Sequence, residues 1–298
     1  MDLYTLGLVH AGVDKIVQAE SKRGNFIWKD VLKPIRERQE YYRAVKVTGM
    51  GYMPIKQEGG PALTDNKKRL YVTDFHSQTY AKAYEWSLEA RDFDVYSQAA
   101  QMAKDLSLSY RHTINKAAAD VINNGFSTSA SPYTIYDGTY LFSASHPNLL
   151  PFASSSNLLT TTLSPAGLQT AIISLMNQTD ERGMPLELEG GMTLLVGNAL
   201  APLAWELVQP GGKPQTADND RNYLANIVVA KRNTFLTSTT GYCLKMSDDS
   251  EHGLCLIDFS MGLKLKTQDV VRTLTDLTVG FCRFLPAVLD YHGVVAKS

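Results

Sequence analysis

Ser143, Ser145 and His146, followed directly by Pro147, are the residues of this chain whose types and spacing come nearest to enzyme chemistry. A hydroxyl nucleophile beside an imidazole base would make an acyl-transfer site, and a cytoplasmic serine hydrolase is one reading of them. The pattern lacks the G-x-S-x-G elbow that exposes such a serine at a strand-to-helix turn, and nothing downstream supplies a coherent third partner. Pro147 instead pushes His146 toward extended backbone, which favours a structural turn over a catalytic base.

Other candidate chemistries fail on spacing. Histidines 76, 112, 146 and 252 are scattered, without the HxxxH or HExxH pitch that brings two ligands to one helix face, so no metal is expected. Asp218, Asn219, Asp220 and Asn222 have the composition of a turn closed by side-chain to backbone hydrogen bonds rather than of a cation site. Gly190-Gly191 and Gly211-Gly212 lack the lysine and spacing of a phosphate loop. Cys243, Cys255 and Cys282 form an odd set with no CxxC pair, in apolar surroundings, and read as buried free thiols. The expectation is a protein with no catalytic residue, no metal and no cofactor.

The elements that would position these residues follow from periodicity. Residues 1–42 show no sustained period and read as an extended arm. From Arg43 an alternating stretch meets Gly51, Pro54, Lys56, Gly59, Gly60, Pro61, Lys67, Lys68 and Arg69, where Gly-Gly-Pro marks a tip. Alternation resumes through Tyr84, Trp86, Leu88 and Ala90, so residues 43–90 read as a long two-stranded excursion. Such a ribbon is marginal alone in water and needs its own domain or a neighbour to lie on.

At Asp92, a candidate N-cap, the period changes. Phe93, Tyr96, Ala100, Ala103, Leu106, Tyr110, Ile114, Ala117 and Val121 share one helical face, and Gly125 stands where a C′ residue would. Residues 126–160 are rich in loop formers. Ser164 and Pro165 open a second helix whose end is placed at Gly183. Thereafter a strand at 193–196, a helix at 198–209 and strands at 227–230, 242–246, 254–259, 263–265 and 279–284 are expected, the last packing beside the long helix.

Composition excludes several classes. Apolar residues make up 44% of 298, enough for a core and for about two domains of ~150 residues. Twenty-nine basic residues against 30 acidic ones give a formal charge of −1, which leaves no basic field for sequence-reading of nucleic acid. No apolar run approaches the ~20 residues that span a bilayer, and Asp2, Asp14 and Glu20 break any leader-like pattern, so neither membrane insertion nor signal-peptide export is expected.

The segments Leu141-Phe142-Ser143 to His146-Pro147, Asp180 to Gly183 with Pro185-Leu186, and Asn219-Asp220 to Asn222 before Ile227-Val228-Val229 resemble the major head proteins of tailed bacteriophages, in particular the Mu-type group. Asp290-Tyr291-His292 departs from that pattern, which often carries Arg or Trp there. The resemblance implies an α+β fold of the Hong Kong 97 capsid type. Its parts would be an N-terminal arm (1–42), an extended β-hairpin loop (43–90), a peripheral domain with the spine helix (91–134), an axial domain (135–260) and a return to the peripheral domain (261–298). It further implies a non-enzymatic subunit that assembles as hexamers and pentamers into an icosahedral head. That head would lie in the virion, assembled in the host bacterial cytoplasm, with portal, scaffold and possibly cement proteins as partners. Double-stranded DNA would be packaged without sequence specificity. An encapsulin-like cellular compartment is the alternative on the same fold.

Overall fold

The computed structural model describes residues 15–21, 23–24, 26–67, 69–87, 89, 98–127, 135–148, 154–209, 222–248, 252–259, 262–270 and 272–298. It is an α+β structure in which two sheets meet around one end of a long helix. In the larger sheet β1 (Lys33–Arg36), β8 (Leu254–Asp258), β10 (Thr275–Val288) and β4 (Gln78–Ser87) lie in that order, and β9 (Lys264–Val270) also pairs with β10. Burial in β10 alternates from Thr275 to Cys282 and becomes continuous from Phe284 to Val288, where β8 pairs with it. The strand has one covered face where it starts and two where it ends.

The long helix α2 (Gln98–Asn123) spans about 39 Å at ~1.5 Å per residue. Ala103, Leu106, Ile114, Ala118, Val121 and Ile122 are buried on it at spacings of three and four. Close approach to the sheet is set by Gly280 of β10, where a Cβ would stand 2.9 Å from a methyl of Leu106. The expected N-cap, Asp92, with Phe93 and Tyr96, lies outside the described residues. Gly125 is required for a different reason than a left-handed cap: a Cβ there would meet the Phe142 ring at 2.9 Å.

The smaller sheet has the order β11 (Val294–Lys297), β7 (Tyr242–Met246), β5 (Met192–Val196), β6 (Val228–Arg232). All five residues of β5 are buried. Met192, Leu194 and Val196 pack with α3 (Pro165–Met176) and α4 (Ala201–Val208), while Leu195, Cys243 and Ala296 turn to the other face and join Val121, Ile122, Leu256, Cys282 and Phe284 in a core shared with the larger sheet. Helix α3 starts as read from the sequence, with Ser164 Oγ accepting the N–H of Gly167 at 3.0 Å. It stops at Met176 rather than at Gly183, because Asp180 Oδ1 takes the N–H groups of Arg182 and Met184 at 2.8 Å each and closes a turn that Gly183 completes at φ 73°.

Three expectations about chain path change. Residues 28–36 of the expected extended arm are built into the body: α1 (Trp28–Val31) places Val31, with Leu32, in the main core, and β1 runs parallel to β8, with Pro34 tolerated because β1 is an edge strand. The two-stranded ribbon is β2 (Tyr41–Val47) with β3 (Arg69–His76), whereas β4 leaves it and pairs with β10 along Gln78–Ser87. The strand at 254–258 pairs in the larger sheet with β10, and β11, at the end of the expected return, pairs in the smaller one with β7.

Candidate functional site

The stretch from Leu141 to Pro147 has no regular structure, yet it is held rigidly. Phe142 N–H donates to Gly125 O at 2.8 Å, and Leu141, Phe142 and His146 are fully buried. Asn157, also fully buried, organises it: Nδ2 donates to Leu141 O at 2.7 Å, and Oδ1 accepts the N–H of Ser143 at 2.9 Å and lies 3.0 Å from His146 Nε2. His146 Nδ1 lies 2.9 Å from Asp137 Oδ2. Burial works to raise the Asp137 carboxyl, but His146 and Thr139 outweigh it and hold it below the usual carboxylate range. Both imidazole nitrogens therefore face Asp137 and Asn157, while Ser143 Oγ is engaged with the backbone of Ser145. This is a sealed structural network, and the serine and imidazole do not form a nucleophile–base pair. Asp137 and Asn157 went unnoticed in the sequence; the Asp137-Gly138 turn just before the segment was the available signal.

A second polar cluster gathers residues that sequence spacing keeps apart. Lys46 on β2 forms ion pairs with Asp290 and, at 3.1 Å, with Glu181. Tyr136 hydroxyl is 3.0 Å from Glu181 Oε1 and 3.3 Å from Asp290 Oδ1, and His292 Nδ1 is 2.6 Å from Asp290 Oδ1. Burial works to raise the Asp290 carboxyl, but His292 and Lys46 outweigh it and hold it far down; burial, with Asp290 and Glu181 nearby, pushes the Tyr136 phenol strongly up. Glu181, Asp290 and His292 place three potential metal ligands together, which the dispersed histidines did not foretell, and Lys46 brings its own cation there. The legible hint was Lys46 itself, a charge on the inward face that Tyr42 and Ala44 share on β2.

Above this cluster the β2–β3 stem carries the excursion 48–67. The stem is pinned by Arg43 to Asp74 through two hydrogen bonds of 2.7 Å, and Tyr42, Ala44 and Phe75 pack on Ile257 and Leu285. Beyond it Gly51, Pro54, Lys56, Gly59, Pro61 and Lys67 are exposed, as is Arg69 at the start of β3; Gly60 is half-buried, and Lys68 lies outside the described residues. Gly59 takes φ 72° in a turn closed by Gly60 N–H to Gln57 O at 3.1 Å. Met53 and Ile55 are 99% and 98% exposed, and Tyr52 and Leu63 are also open. One arm is tied down: Asp65 pairs with Arg182 at 2.5 Å and accepts the N–H of Gly51 at 3.1 Å.

Asn222 caps the short 3₁₀ turn Tyr223–Asn226, accepting the N–H of Leu224 at 3.2 Å and donating to Leu207 O at 2.8 Å, as a turn-forming side chain would. Asp218, Asn219, Asp220, Gly211 and Gly212 lie outside the described residues. Cys243, Cys255 and Cys282 are buried free thiols, and burial pushes each up to about 12. Among the described residues, no helix is long and apolar enough to cross a membrane.

Comparison with known proteins adds the following. A family model described as phage capsid protein matches residues 71–296. No curated protein matches. Among solved structures, the capsid of a native GTA particle is similar over 92% of this chain and 90% of its own, at 10% identity and a TM-score of 0.62. The mature capsid of bacteriophage PhiM1 covers 93% and 87%, at 9% identity and 0.60. The holo-SrpI encapsulin complex from Synechococcus elongatus covers 90% and 85%, at 12% identity and 0.51.

Proposed function

The chain belongs to the phage capsid protein family and is a structural shell subunit of the Hong Kong 97 type of fold, and from that premise we propose that it is the Mu-type major head subunit of a tailed phage. It assembles as hexamers and pentamers into an icosahedral head in the host bacterial cytoplasm. Portal, scaffold and cement proteins are its partners, and double-stranded DNA is held inside by confinement without sequence preference, in keeping with a formal charge of −1.

In this reading the chain divides along the sequence into arm 1–42, extended loop 43–90, peripheral domain 91–134, axial domain 135–260 and return 261–298, with β1, β4 and β8 lent to the larger sheet beside the return strand β10 and β11 lent to the smaller sheet. Residues Gly51, Pro54, Lys56, Gly59, Gly60, Pro61, Lys67, Lys68 and Arg69 form the inter-subunit assembly loop. The observation that supports the loop's role is the exposure of Tyr52, Met53, Ile55 and Leu63 on one excursion whose stem is clamped to its own subunit. Four large apolar side chains held off the body are surface for another copy to cover.

The experiment replaces residues 50–67 by a short Gly-Ser turn between β2 and β3 and compares thermal melting by circular dichroism with electron microscopy. The expected result is an unchanged fold of helices and sheets together with loss of closed particles. Normal shells from the shortened chain would refute the loop's role, and unfolding would place the loop in the core. Wild-type shells that copurify with a protein cargo and never with phage head components would favour the encapsulin-like reading.

A further inference from the structure

Three segments far apart in sequence converge on the amine of Lys46. Asp290 meets it with Oδ2, and Glu181, only 5% exposed, sets Oε1 at 3.1 Å. The other oxygen of Asp290 accepts the N–H groups of Tyr291 at 2.7 Å and His292 at 3.3 Å; it also lies 2.6 Å from His292 Nδ1, whose Nε2 is 3.0 Å from Thr179 O, and 3.3 Å from the Tyr136 hydroxyl. The carboxyl is thus polarised, with one oxygen toward an amine and the other in a donor nest. Tyr136 walls the site, its ring 5.6 Å from the Lys46 amine and 5.0 Å from the Tyr71 ring.

An amine that attacks a carboxyl carbon needs three things. It must be held against the carboxyl, a neighbouring base must carry its protons, and the oxygen that gains charge needs preorganised donors. Lys46, Glu181 and the nest around Asp290 Oδ1 supply these in order. We propose that Lys46 and Asp290 condense within one chain to an amide, with Glu181 as the proton carrier.

The pair begins ionised: burial alone would lower the Lys46 amine, but Asp290 and then Glu181 outweigh it. The Lys46 ammonium gives a proton to Glu181, which passes it to Asp290 Oδ2. The neutral amine adds to Cγ, and the negative charge develops on Oδ1 in its nest. A second proton moves from nitrogen through Glu181 to Oδ2, the Cγ–Oδ2 bond breaks, and Oδ2 leaves as water. One ammonium and one carboxylate become one amide and one water, net charge is conserved, Glu181 is regenerated, and no oxidant or cofactor takes part. The bond would tie the end of the β2–β3 stem from which the excursion 48–67 leaves to the second residue past β10, so the stem could not lift from the sheet even if the Asp65–Arg182 pair opened. It concerns a single chain and stands whether or not shells form.

The test is the intact mass of the full-length protein under denaturing conditions, beside that of Lys46→Arg, which keeps the positive charge and shares any N-terminal processing. The expected result is wild type lighter by one water than its sequence, Lys46→Arg at its full mass, and a protease digest with a branched species joining the Lys46 peptide to the Asp290 peptide. Glu181→Gln should lower the bonded fraction at least tenfold. If Lys46→Arg does not fold, the wild-type mass and digest decide. A wild-type mass that retains the water overturns the proposal, as does a lost water that maps to Asp290 without the Lys46 peptide. Full bonding in Glu181→Gln overturns the role given to Glu181.

Discussion

His146 lies flat against Tyr291, with ring centroids 3.8 Å apart and planes 4° from parallel. The Tyr291 hydroxyl is in turn 2.6 Å from Ser155 Oγ, so the segment whose residues come nearest to enzyme chemistry is closed by the C-terminal stretch that departs from the head-protein pattern. The stack seals the Asp137–His146–Asn157 network from water, and hydrogen bonds there gain strength from the low dielectric and cost more when left unmade.

Asn157→Ala should be among the most destabilising polar substitutions in the chain. It strands Leu141 O, the Ser143 N–H and His146 Nε2 without their partner in a fully buried site. The expected loss in urea unfolding is about 3 kcal/mol, taking roughly 1 kcal/mol for each stranded group. Ser143→Ala removes only local contacts to Ser145 and should cost about 1 kcal/mol or less. A folded Ser143→Ala protein that lost an ester-hydrolysing activity of the wild type would revive the enzyme reading.

Stability should fall first on the acid side of neutrality, through His252. Burial, reinforced by the Lys245 amine 3.1 Å from Nε2, pushes this imidazole down to about 3, whereas in the unfolded chain it titrates near 6.5. Below that value the unfolded chain binds a proton that the folded chain refuses. The contribution is therefore full above pH 6.5 and is lost as pH falls toward 3, by on the order of a few kcal/mol. Asp137, held low, adds stability above the ordinary carboxyl value of 3.8 that disappears only below it. Urea midpoints from pH 8 to 4 should decline in wild type and flatten in His252→Gln; an unchanged slope in the variant would exclude His252 as the cause.

The three cysteines should resist alkylation in the native protein. Each is buried, and burial holds each thiol near 12, so almost no thiolate is present at pH 8. Iodoacetamide followed by mass spectrometry should show no adduct on the folded chain and three after denaturation. Rapid native labelling of Cys282 would mean that the contact between β10 and α2 opens.

Zinc should leave the melting temperature of the wild type unchanged, because the Lys46 nitrogen fills the place among Glu181, Asp290 and His292, whether it is paired with Asp290 or bonded to it. Lys46→Ala removes that nitrogen and leaves two carboxylates and an imidazole, a ligand set zinc accepts. In the variant, zinc should raise the melting temperature through binding to the folded state, with Asp290→Ala abolishing the effect. A zinc-dependent shift in wild type would show that the amine does not exclude a metal.

What the sequence determined by itself is local. The start of α3 was legible because Ser164, Pro165 and the Gly167 N–H lie within one turn, and α2 was legible because its apolar period is set by helix geometry alone. The excess of Gly and Pro at 49–61 marked an excursion. Only the tertiary structure decided which strand lies beside which. Alternation in β4 declared a half-covered strand but gave no partner, and β10, some two hundred residues on, competes for pairing with nothing that the local pattern could reveal. The same holds for Lys46 and Asp290, which are 244 residues apart and meet only because the β2–β3 stem settles on the sheet containing β8 and β10. Propensity and capping act over a few residues through backbone geometry, whereas a buried polar cluster exists only once the hydrophobic surfaces around it have fixed where distant segments cross.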